Sequence, residues 1–248
     1  MEISELYPPP DLIEHAQVSG GDFVETGKLG ASYLMHLGLK PHHRVLDPGC
    51  GIGRVAIPLT QHLDPDGSYA GFDVVREGIE WCARTITPRY PNFRFEHADV
   101  FSADYHPTGK ILAKDYRFPY GDDEFDFAYL FSVFTHIEEA GFRQYLSELA
   151  RVLKPGGTLL ATFMLLSDDT IRLIDEAKSH LQPLHDCGNY RVVSREFPEA
   201  TVAFREELVE ELYHQHALEI TELRHGNWAS QEDPAAGGQD GIIAVKRG

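Results

Sequence analysis

Short apolar segments alternate with amphipathic segments along most of the 248 residues of this chain. Between the apolar segments, residues at helical spacing predict helices over 55–62, 78–85 and 138–153. Because strands that alternate with helices form a parallel sheet with helices on both faces, the pattern predicts an α/β fold. The apolar segments themselves are typical of buried β-strands and lie at 44–47, 68–73, 92–96, 125–130 and 158–164.

The segments on either side of this alternation are less regular. Before it, apolar positions over 29–37 predict a helix that ends at Gly38. Segment 185–201 fits either a small β-hairpin or an irregular cap, and the pattern leaves both open. The other predicted elements are helices over 169–180 and 204–216 and strands over 218–224 and 241–246.

This order of elements predicts the domain organisation. An N-terminal helical extension covers 1–40, and one main domain covers 41–248. The main domain carries insertions at 101–120 and 165–203, the first of which lengthens a usually short connection by about fifteen residues. Insertions of this kind are typical of pocket walls, lids and caps, so we expect them to hold the specificity of the protein.

The first predicted strand ends in an acid and runs into a glycine-rich turn, RVLDPGCGIGR over 44–54. Glycine has no Cβ, so the backbone can turn sharply and approach a ligand closely. The helix that follows presents unpaired N–H groups to such a ligand. A dinucleotide site requires G-x-G-x-x-G, and here the third glycine falls on Arg54 or Ala56. The turn therefore predicts a nucleotide cofactor of another kind, or, alternatively, a tightly packed turn without a ligand.

Charge and cysteine content limit the classes of partner and bound metal that we expect. The net charge of −17, from 22 basic and 39 acidic residues, repels phosphate backbones and anionic membranes. We therefore predict neither a nucleic-acid nor a membrane partner. The acidic start of the chain lacks a secretion-signal pattern, which predicts a cytoplasmic protein. Three widely spaced cysteines form no metal or disulfide pattern, so no metal is predicted.

The pattern D-x-G-x-G-x-G at 47–53 resembles the first motif of the class I S-adenosylmethionine (SAM)-dependent methyltransferases. Asp73 ends the second strand 24 residues after Gly49, near the spacing of a ribose-binding acid. The run LKPGGTL at 153–159 is similar to the turn before the family's fifth strand. Within this family, the motifs resemble most the broad group that includes the ubiquinone/menaquinone-biosynthesis methyltransferases. This resemblance implies a Rossmann-like, seven-stranded, mostly parallel sheet whose last strand is antiparallel.

The resemblance also implies SAM as the cofactor. Asp47 would help to hold its ammonium group, Asp73 its ribose, and Asp99 with the N–H of Val100 its adenine. A surface acid at Asp73 and a loop-capping aspartate at Asp99 are the alternatives. The full predicted set of cofactor-binding residues is Asp47, Gly49, Cys50, Gly51, Gly53, Asp73, Val74, Asp99, Val100 and Phe131.

Methyl transfer requires alignment of the nucleophile with the methyl group and, for a hydroxyl acceptor, a base. His136 is the candidate base, because imidazole titrates near neutral pH. Its alternative role is to cap or pack against the following helix. Ser132 is a candidate for orienting the acceptor. Tyr116, Tyr120 and Trp228 are candidates for lining its pocket, with buried hydrophobic anchors as the alternative.

We therefore predict a SAM-dependent methyltransferase that acts on a small molecule, with oxygen favoured over nitrogen as the accepting atom. The alternative is a non-catalytic SAM-fold module that scaffolds a partner enzyme. The glycine spacing disfavours a nicotinamide enzyme. The sequence defines neither the acceptor molecule and accepting atom nor the oligomeric state.

Overall fold

The computed structural model describes residues 3–15, 21–179, 181–229 and 238–248. The helices are α1 (Pro10–His15), α2 (Phe23–His36), α3 (Ala56–Leu59), α4 (Arg76–Thr85), α5 (Glu139–Val152), α6 (Asp168–Asp175) and α7 (Glu206–Gln215). The main strands are β1 (Arg44–Pro48), β2 (Ser68–Asp73), β3 (Phe93–His97), β4 (Phe125–Leu130), β5 (Leu153–Phe163), β10 (Leu218–Arg224) and β11 (Asp240–Lys246). Four short strands complete the set: β6 (Leu165–Leu166), β7 (His185–Asp186), β8 (Tyr190–Val192) and β9 (Val202–Arg205).

The main sheet has seven strands in the order β10-β11-β5-β4-β1-β2-β3. Strand β2 pairs parallel with β1 and with β3. Strand β11 is antiparallel to both of its neighbours, β5 and β10. The predicted Rossmann-like sheet with an antiparallel last strand is therefore confirmed.

Contacts divide the chain into two compact units, residues 1–99 with 125–127 and residues 100–124 with 128–248. In the first unit, the buried aromatic rings of Tyr69 and Phe93 stack on neighbouring strands with their centroids 5.1 Å apart. Helix α2 begins at the cap residue Asp22, whose Oδ1 accepts the N–H groups of Val24 and Glu25. The same helix passes close to the glycine-rich turn, because a Cβ at Gly27 would lie 2.2 Å from the Arg54 carbonyl oxygen.

The second unit has an aromatic core and a small sheet of its own. Phe134 stacks on Phe163 with centroids 5.0 Å apart, and Phe142 packs against Phe204 at 4.8 Å. The small sheet has the order β6-β9-β8-β7. Of the two structures left open for 185–201, the hairpin is the one found, since β7 and β8 pair antiparallel.

Several predicted helix boundaries were wrong. The helix predicted over 29–37 begins at Phe23, and the helix predicted over 55–62 ends at Leu59. The helix predicted over 204–216 begins at Glu206, because the fully buried residues 202–204 belong to β9. Short buried strands of this kind cannot be told from helix by periodicity. Helix α6 ends at Asp175, where Ala177 turns left-handed at φ 56° and the N–H of Lys178 returns to the Leu173 carbonyl. This Schellman termination stops the helix before residue 180, which lies outside the described residues.

Among the described residues, no helix combines the length and apolar character that crossing a membrane requires.

Candidate cofactor and acceptor site

The glycine-rich turn after β1 depends on left-handed backbone. Gly49, Gly51 and Gly53 have φ of 80°, 55° and 77°, a region that side-chain-bearing residues rarely adopt. A Cβ at Gly53 would lie 3.0 Å from Sγ of Cys82, so side chains of the protein itself fill the space beside this glycine. A Cβ at Gly51 would meet nothing within 4 Å. The turn is therefore packed at Gly53 and open at Gly51, where a ligand can approach the backbone.

A buried carboxylate lies at the start of this turn. Asp47 is only 4% exposed, and its Oδ2 accepts a hydrogen bond from the phenol of Tyr69 at 2.6 Å. A buried carboxylate requires hydrogen bonds or a positive partner, and the ammonium group of SAM is such a partner. The chemistry of the residue fits the predicted role.

Asp73 connects the end of β2 to the turn. Its Oδ2 accepts the N–H of Gly51 at 2.7 Å, and its Oδ1 accepts the N–H of Val75 at 2.8 Å. Burial raises the pKa of Asp73, and these N–H bonds oppose the rise. Each carboxylate oxygen has two lone pairs, so both can accept a further hydrogen bond from a ribose hydroxyl. Asp73 therefore positions the turn and keeps acceptor capacity for a ligand.

The other residues predicted for the cofactor are distributed over both units. In the first, the Val74 carbonyl lies 3.1 Å from Nε2 of His97, and the N–H of Ala98 donates to the Asp73 carbonyl. These bonds hold the segment that leads to Asp99 beside the end of β2. Cys50 is buried in the turn, and burial raises the pKa of its thiol well above the ordinary value. Its side chain is therefore a neutral packing group.

In the second unit, Val100 is buried and Phe131 is partly buried. The Phe131 ring packs against Tyr129 at a centroid distance of 5.3 Å. The chain segment after Phe131 carries the residues predicted to act on the acceptor.

His136 lies in a short 3₁₀ helix after β4, and Glu199 fixes its orientation. Its Nδ1 is 3.0 Å from the carbonyl oxygen of Glu199. A carbonyl oxygen only accepts hydrogen bonds, so Nδ1 must carry the proton. In the neutral ring, Nε2 then holds a lone pair and can accept a proton. The ring of Tyr105 packs edge-on against the imidazole with centroids 5.9 Å apart.

Ser132 has a left-handed backbone at φ 58° although it has a side chain. Its N–H donates to Oγ1 of Thr162 at 2.8 Å, and its hydroxyl donates to Oε1 of Gln239 at 3.1 Å. A residue held in this region costs of order 1–3 kcal/mol, and such positions cluster at functional sites. Neither Thr162 nor Gln239 was predicted, because no motif marks either residue.

The aromatic candidates divide into buried and partly buried positions. Tyr116 is buried, with its ring 6.2 Å from that of Tyr145. Trp228 is buried as well, and its indole N–H donates to Oδ2 of Asp240 at 2.7 Å. Burial fits both the predicted contact with the acceptor and the alternative, a buried anchor, so both residues stay predictions. Tyr120 is partly buried, and its carbonyl accepts a bond from Arg151.

Comparison with known proteins agrees with this fold. Residues 45–157 match the family model of a methyltransferase domain. Phosphoethanolamine N-methyltransferase 3 of Arabidopsis thaliana is 29% identical over 160 residues, which cover 63% of this chain and 28% of the relative. Phthiotriol/phenolphthiotriol dimycocerosates methyltransferase 1 of Mycobacterium ulcerans is 32% identical over 160 residues, 62% of this chain and 49% of the relative. The chain thus spans less than half of these two relatives.

Among solved structures, the 1,6-didemethyltoxoflavin-N1-methyltransferase of Burkholderia thailandensis, with its substrate and S-adenosylhomocysteine bound, superposes with a TM-score of 0.57. The identity is 18%, and the match covers 90% of this chain and 80% of the other. This likeness shows the fold, that of the Rossmann-like methyltransferases. Together with the domain match over 45–157 and the glycine-rich turn, it supports a class I SAM-dependent methyltransferase with SAM as the cofactor.

Proposed function

We propose that the protein transfers the methyl group of SAM to an oxygen of a small-molecule acceptor. The observation that carries the choice of oxygen is the 3.0 Å contact between Nδ1 of His136 and the Glu199 carbonyl. It leaves Nε2 as a hydrogen-bond acceptor in the neutral ring. A neutral amine needs no base to attack a methyl group, whereas a hydroxyl of high pKa does.

The first unit would hold the cofactor. SAM supplies a methyl group on a positively charged sulfur. Asp47 would pair with its ammonium group, Asp73 would accept hydrogen bonds from its ribose, and Asp99 would face its adenine. Gly51 supports this assignment, because the space that a Cβ would occupy there is open.

The second unit would hold the acceptor. An acceptor hydroxyl would donate to Nε2 of His136. The imidazole would take its proton as the acceptor oxygen bonds to the methyl carbon and the carbon–sulfur bond breaks, which would release S-adenosylhomocysteine. A base placed in this way contributes about 10²–10⁴-fold to the rate. The Glu199 carbonyl would stabilise the protonated ring, because Nδ1–H still donates to it.

The two insertions would form the walls around this acceptor. The N–H of Ala103 in segment 101–120 donates to Oε2 of Glu199 in segment 165–203 at 2.9 Å. The two relatives support a small acceptor, since phosphoethanolamine and phthiotriol dimycocerosates appear in their names. The net charge of −17 supports a partner other than a nucleic acid or an anionic membrane. A cytoplasmic location is part of the same proposal.

Two measurements test the proposal. Titration calorimetry with S-adenosylhomocysteine should show binding to the first-unit site. Incubation with methyl-labelled SAM and a panel of phenols, alcohols and amines should then label hydroxyl-bearing compounds. No binding at millimolar S-adenosylhomocysteine would refute a SAM enzyme. Binding without transfer to any compound would favour the scaffolding module, and transfer to amines alone would refute the choice of oxygen.

A further inference from the structure

Three polar residues of the second unit come together at one end of its strands. Ser132 follows β4, Thr162 lies near the end of β5, and Gln239 directly precedes β11. They meet because β11 runs antiparallel to β5, with Asp240 opposite Phe163 and Gly241 opposite Thr162. This is the carboxyl end of β4 and β5, where ligands of open α/β sheets bind.

The hydrogen bonds within this triad define its orientation. Thr162 Oγ1 accepts the N–H of Ser132 at 2.8 Å and donates its proton to Oε1 of Gln239 at 2.6 Å. The Ser132 hydroxyl donates to the same Oε1 at 3.1 Å. With Oε1 toward the two hydroxyls, each hydroxyl proton has an acceptor within the triad. In this orientation the amide nitrogen of Gln239 points away from them.

The amide nitrogen is then the part of the triad that remains for a ligand. Within 3–15, 21–179, 181–229 and 238–248, no residue accepts a hydrogen bond from Nε2 of Gln239. Ser132 is exposed and its oxygen keeps lone pairs. The triad thus offers two N–H donors and one hydroxyl oxygen.

The position of Gln239 is held from both sides. The N–H of the preceding Gly238 donates to Oδ1 of Asn227 at 2.9 Å. The following Asp240 is buried, and its carboxylate accepts the N–H groups of Gly226 and Leu165 at 2.8 and 2.7 Å. A donor held this firmly loses little entropy when it binds a ligand.

We propose that Ser132, Thr162 and Gln239 form a binding site for a neutral carbonyl or hydroxyl oxygen of the methyl acceptor. This inference rests on the proposed function and specifies the acceptor's chemistry. The amide N–H groups of Gln239 donate to the acceptor oxygen, and Oγ of Ser132 accepts from an adjacent hydroxyl. The site selects neutral groups because none of its three side chains is a cation that would pair with a carboxylate or phosphate. The left-handed backbone of Ser132 is the strained conformation that brings its hydroxyl to Gln239.

The test follows the side-chain amide of Gln239 by NMR in the full-length protein, with glutamine labelled by ¹⁵N and the cofactor site saturated with S-adenosylhomocysteine. The probes are 2′-hydroxyacetophenone, its hydrocarbon analogue 2-ethyltoluene, and benzoate. The proposal expects the Gln239 amide signals to shift with the hydroxyketone and not with the other two. An unmoved amide with the hydroxyketone, or an equal shift with either control, overturns it.

Variants separate binding from folding. Gln239→Glu keeps an oxygen for both hydroxyls but has no N–H donors, so it should fold and bind the hydroxyketone about five-fold or more weakly, as expected for one lost hydrogen bond. Gln215→Leu, on exposed α7 surface, should leave that affinity unchanged. Unchanged affinity in Gln239→Glu overturns the proposal. Absence of S-adenosylhomocysteine binding in the wild-type protein, measured by calorimetry, would instead count against the proposed function.

Discussion

Oδ2 of Asp73 accepts the N–H of Gly51 at 2.7 Å, so the acid that ends β2 directly holds the glycine-rich turn after β1. The same carboxylate accepts the N–H of Val75 through its other oxygen. An acid in this position therefore has a structural role before any cofactor binds. The proposed bond to the ribose of SAM would add to that role.

The first prediction concerns Asp73→Asn. One amide oxygen cannot replace two carboxylate oxygens, so an N–H donor of the protein or a ribose hydroxyl loses its partner. Each hydrogen bond to a charged group contributes about 1.5–3 kcal/mol, so affinity for S-adenosylhomocysteine should fall by about ten-fold or more in calorimetry. Asp64→Asn is the control, because Asp64 also accepts two backbone N–H groups, those of Asp66 and Gly67. Equal affinity loss in both variants would contradict a specific role for Asp73.

The second prediction separates the open glycine of the turn from the packed one. Gly51→Ala places its methyl group in open space, so it should cost only the ~1–2 kcal/mol of left-handed backbone yet weaken S-adenosylhomocysteine binding. Gly53→Ala should destabilise the fold more, since its methyl group would lie 3.0 Å from Sγ of Cys82. Thermal unfolding and calorimetry measure both effects.

Gly38→Ala is the control for this pair. Gly38 has φ 98° and nothing within 4 Å of an added Cβ, as at Gly51, but it follows α2 and lies outside the turn. It should lose stability and keep its affinity. If Gly51→Ala bound S-adenosylhomocysteine as tightly as Gly38→Ala does, the open side of the turn would not be the cofactor site.

The third prediction concerns His136→Asn. The asparagine amide can still donate to the Glu199 carbonyl, but it has no basic nitrogen. The rate of transfer to a hydroxyl acceptor should fall about 10²–10⁴-fold, and S-adenosylhomocysteine affinity should not change. His214→Asn, on the exposed surface of α7, should retain both the rate and the affinity. A fall in rate accompanied by an equal loss of S-adenosylhomocysteine affinity would make His136 a packing residue.

The fourth prediction concerns pH and Glu199. Burial raises the pKa of this carboxyl; the N–H of Ala103 opposes the rise, and the acids Glu138 and Asp104 add to it. A group with a raised folded-state pKa stabilises the protein below its unfolded pKa, about 4.3 for glutamate, and loses that contribution as pH rises through the folded value. Glu199→Gln keeps an acceptor for Ala103 but does not titrate. Relative to the wild type, it should therefore gain stability as the pH rises from mildly acidic to neutral.

Urea unfolding at several pH values measures this difference. Glu80→Gln, on the exposed surface of α4, should show a smaller pH-dependent change. A wild type that gains stability over Glu199→Gln with rising pH would reverse the expected sign.

The fifth prediction concerns Arg151, which holds the segment leading into β4. Its guanidinium donates to both oxygens of the buried Glu148 at 3.0 and 2.6 Å, and to the carbonyls of Phe118 and Tyr120. Burial acts to raise the pKa of Glu148, but the bonds from Arg151 and from the Phe118 N–H lower it overall. Arg151→Met should cost about 3–5 kcal/mol in urea unfolding, because it leaves a buried charge without its partner. The double variant with Glu148→Leu should recover part of that loss. No recovery would show that lost packing, and not an unpaired charge, causes the loss of stability.

Several elements could be predicted from the sequence because their signals are local. Strands β2 and β4 have the predicted bounds, since each is a contiguous apolar segment with clear turn residues beside it. The glycine-rich turn was predictable because left-handed backbone requires glycine at those positions. Strand β9 was missed because three fully buried residues carry no periodicity of their own.

The candidate acceptor site contains contacts that local sequence patterns cannot predict. Gln239 meets Ser132 from 107 residues away in the chain, and His136 meets Glu199 from 63 residues away. No spacing rule predicts such pairs, because they arise from the antiparallel register of β11 on β5 and from the packing of segment 165–203. The burial of Trp228 likewise depends on the distant Asp240, Leu166 and Ile174.

By itself, the sequence determined the fold class, the turn after β1 and the acid at the end of β2, because backbone conformation and strand pattern are properties of neighbouring residues. The tertiary structure decided which nitrogen of His136 carries a proton, which way the Gln239 amide points, and which aromatic residues are buried. These are questions of hydrogen-bond partners and solvent exposure, and the partners come from parts of the chain that only folding brings together.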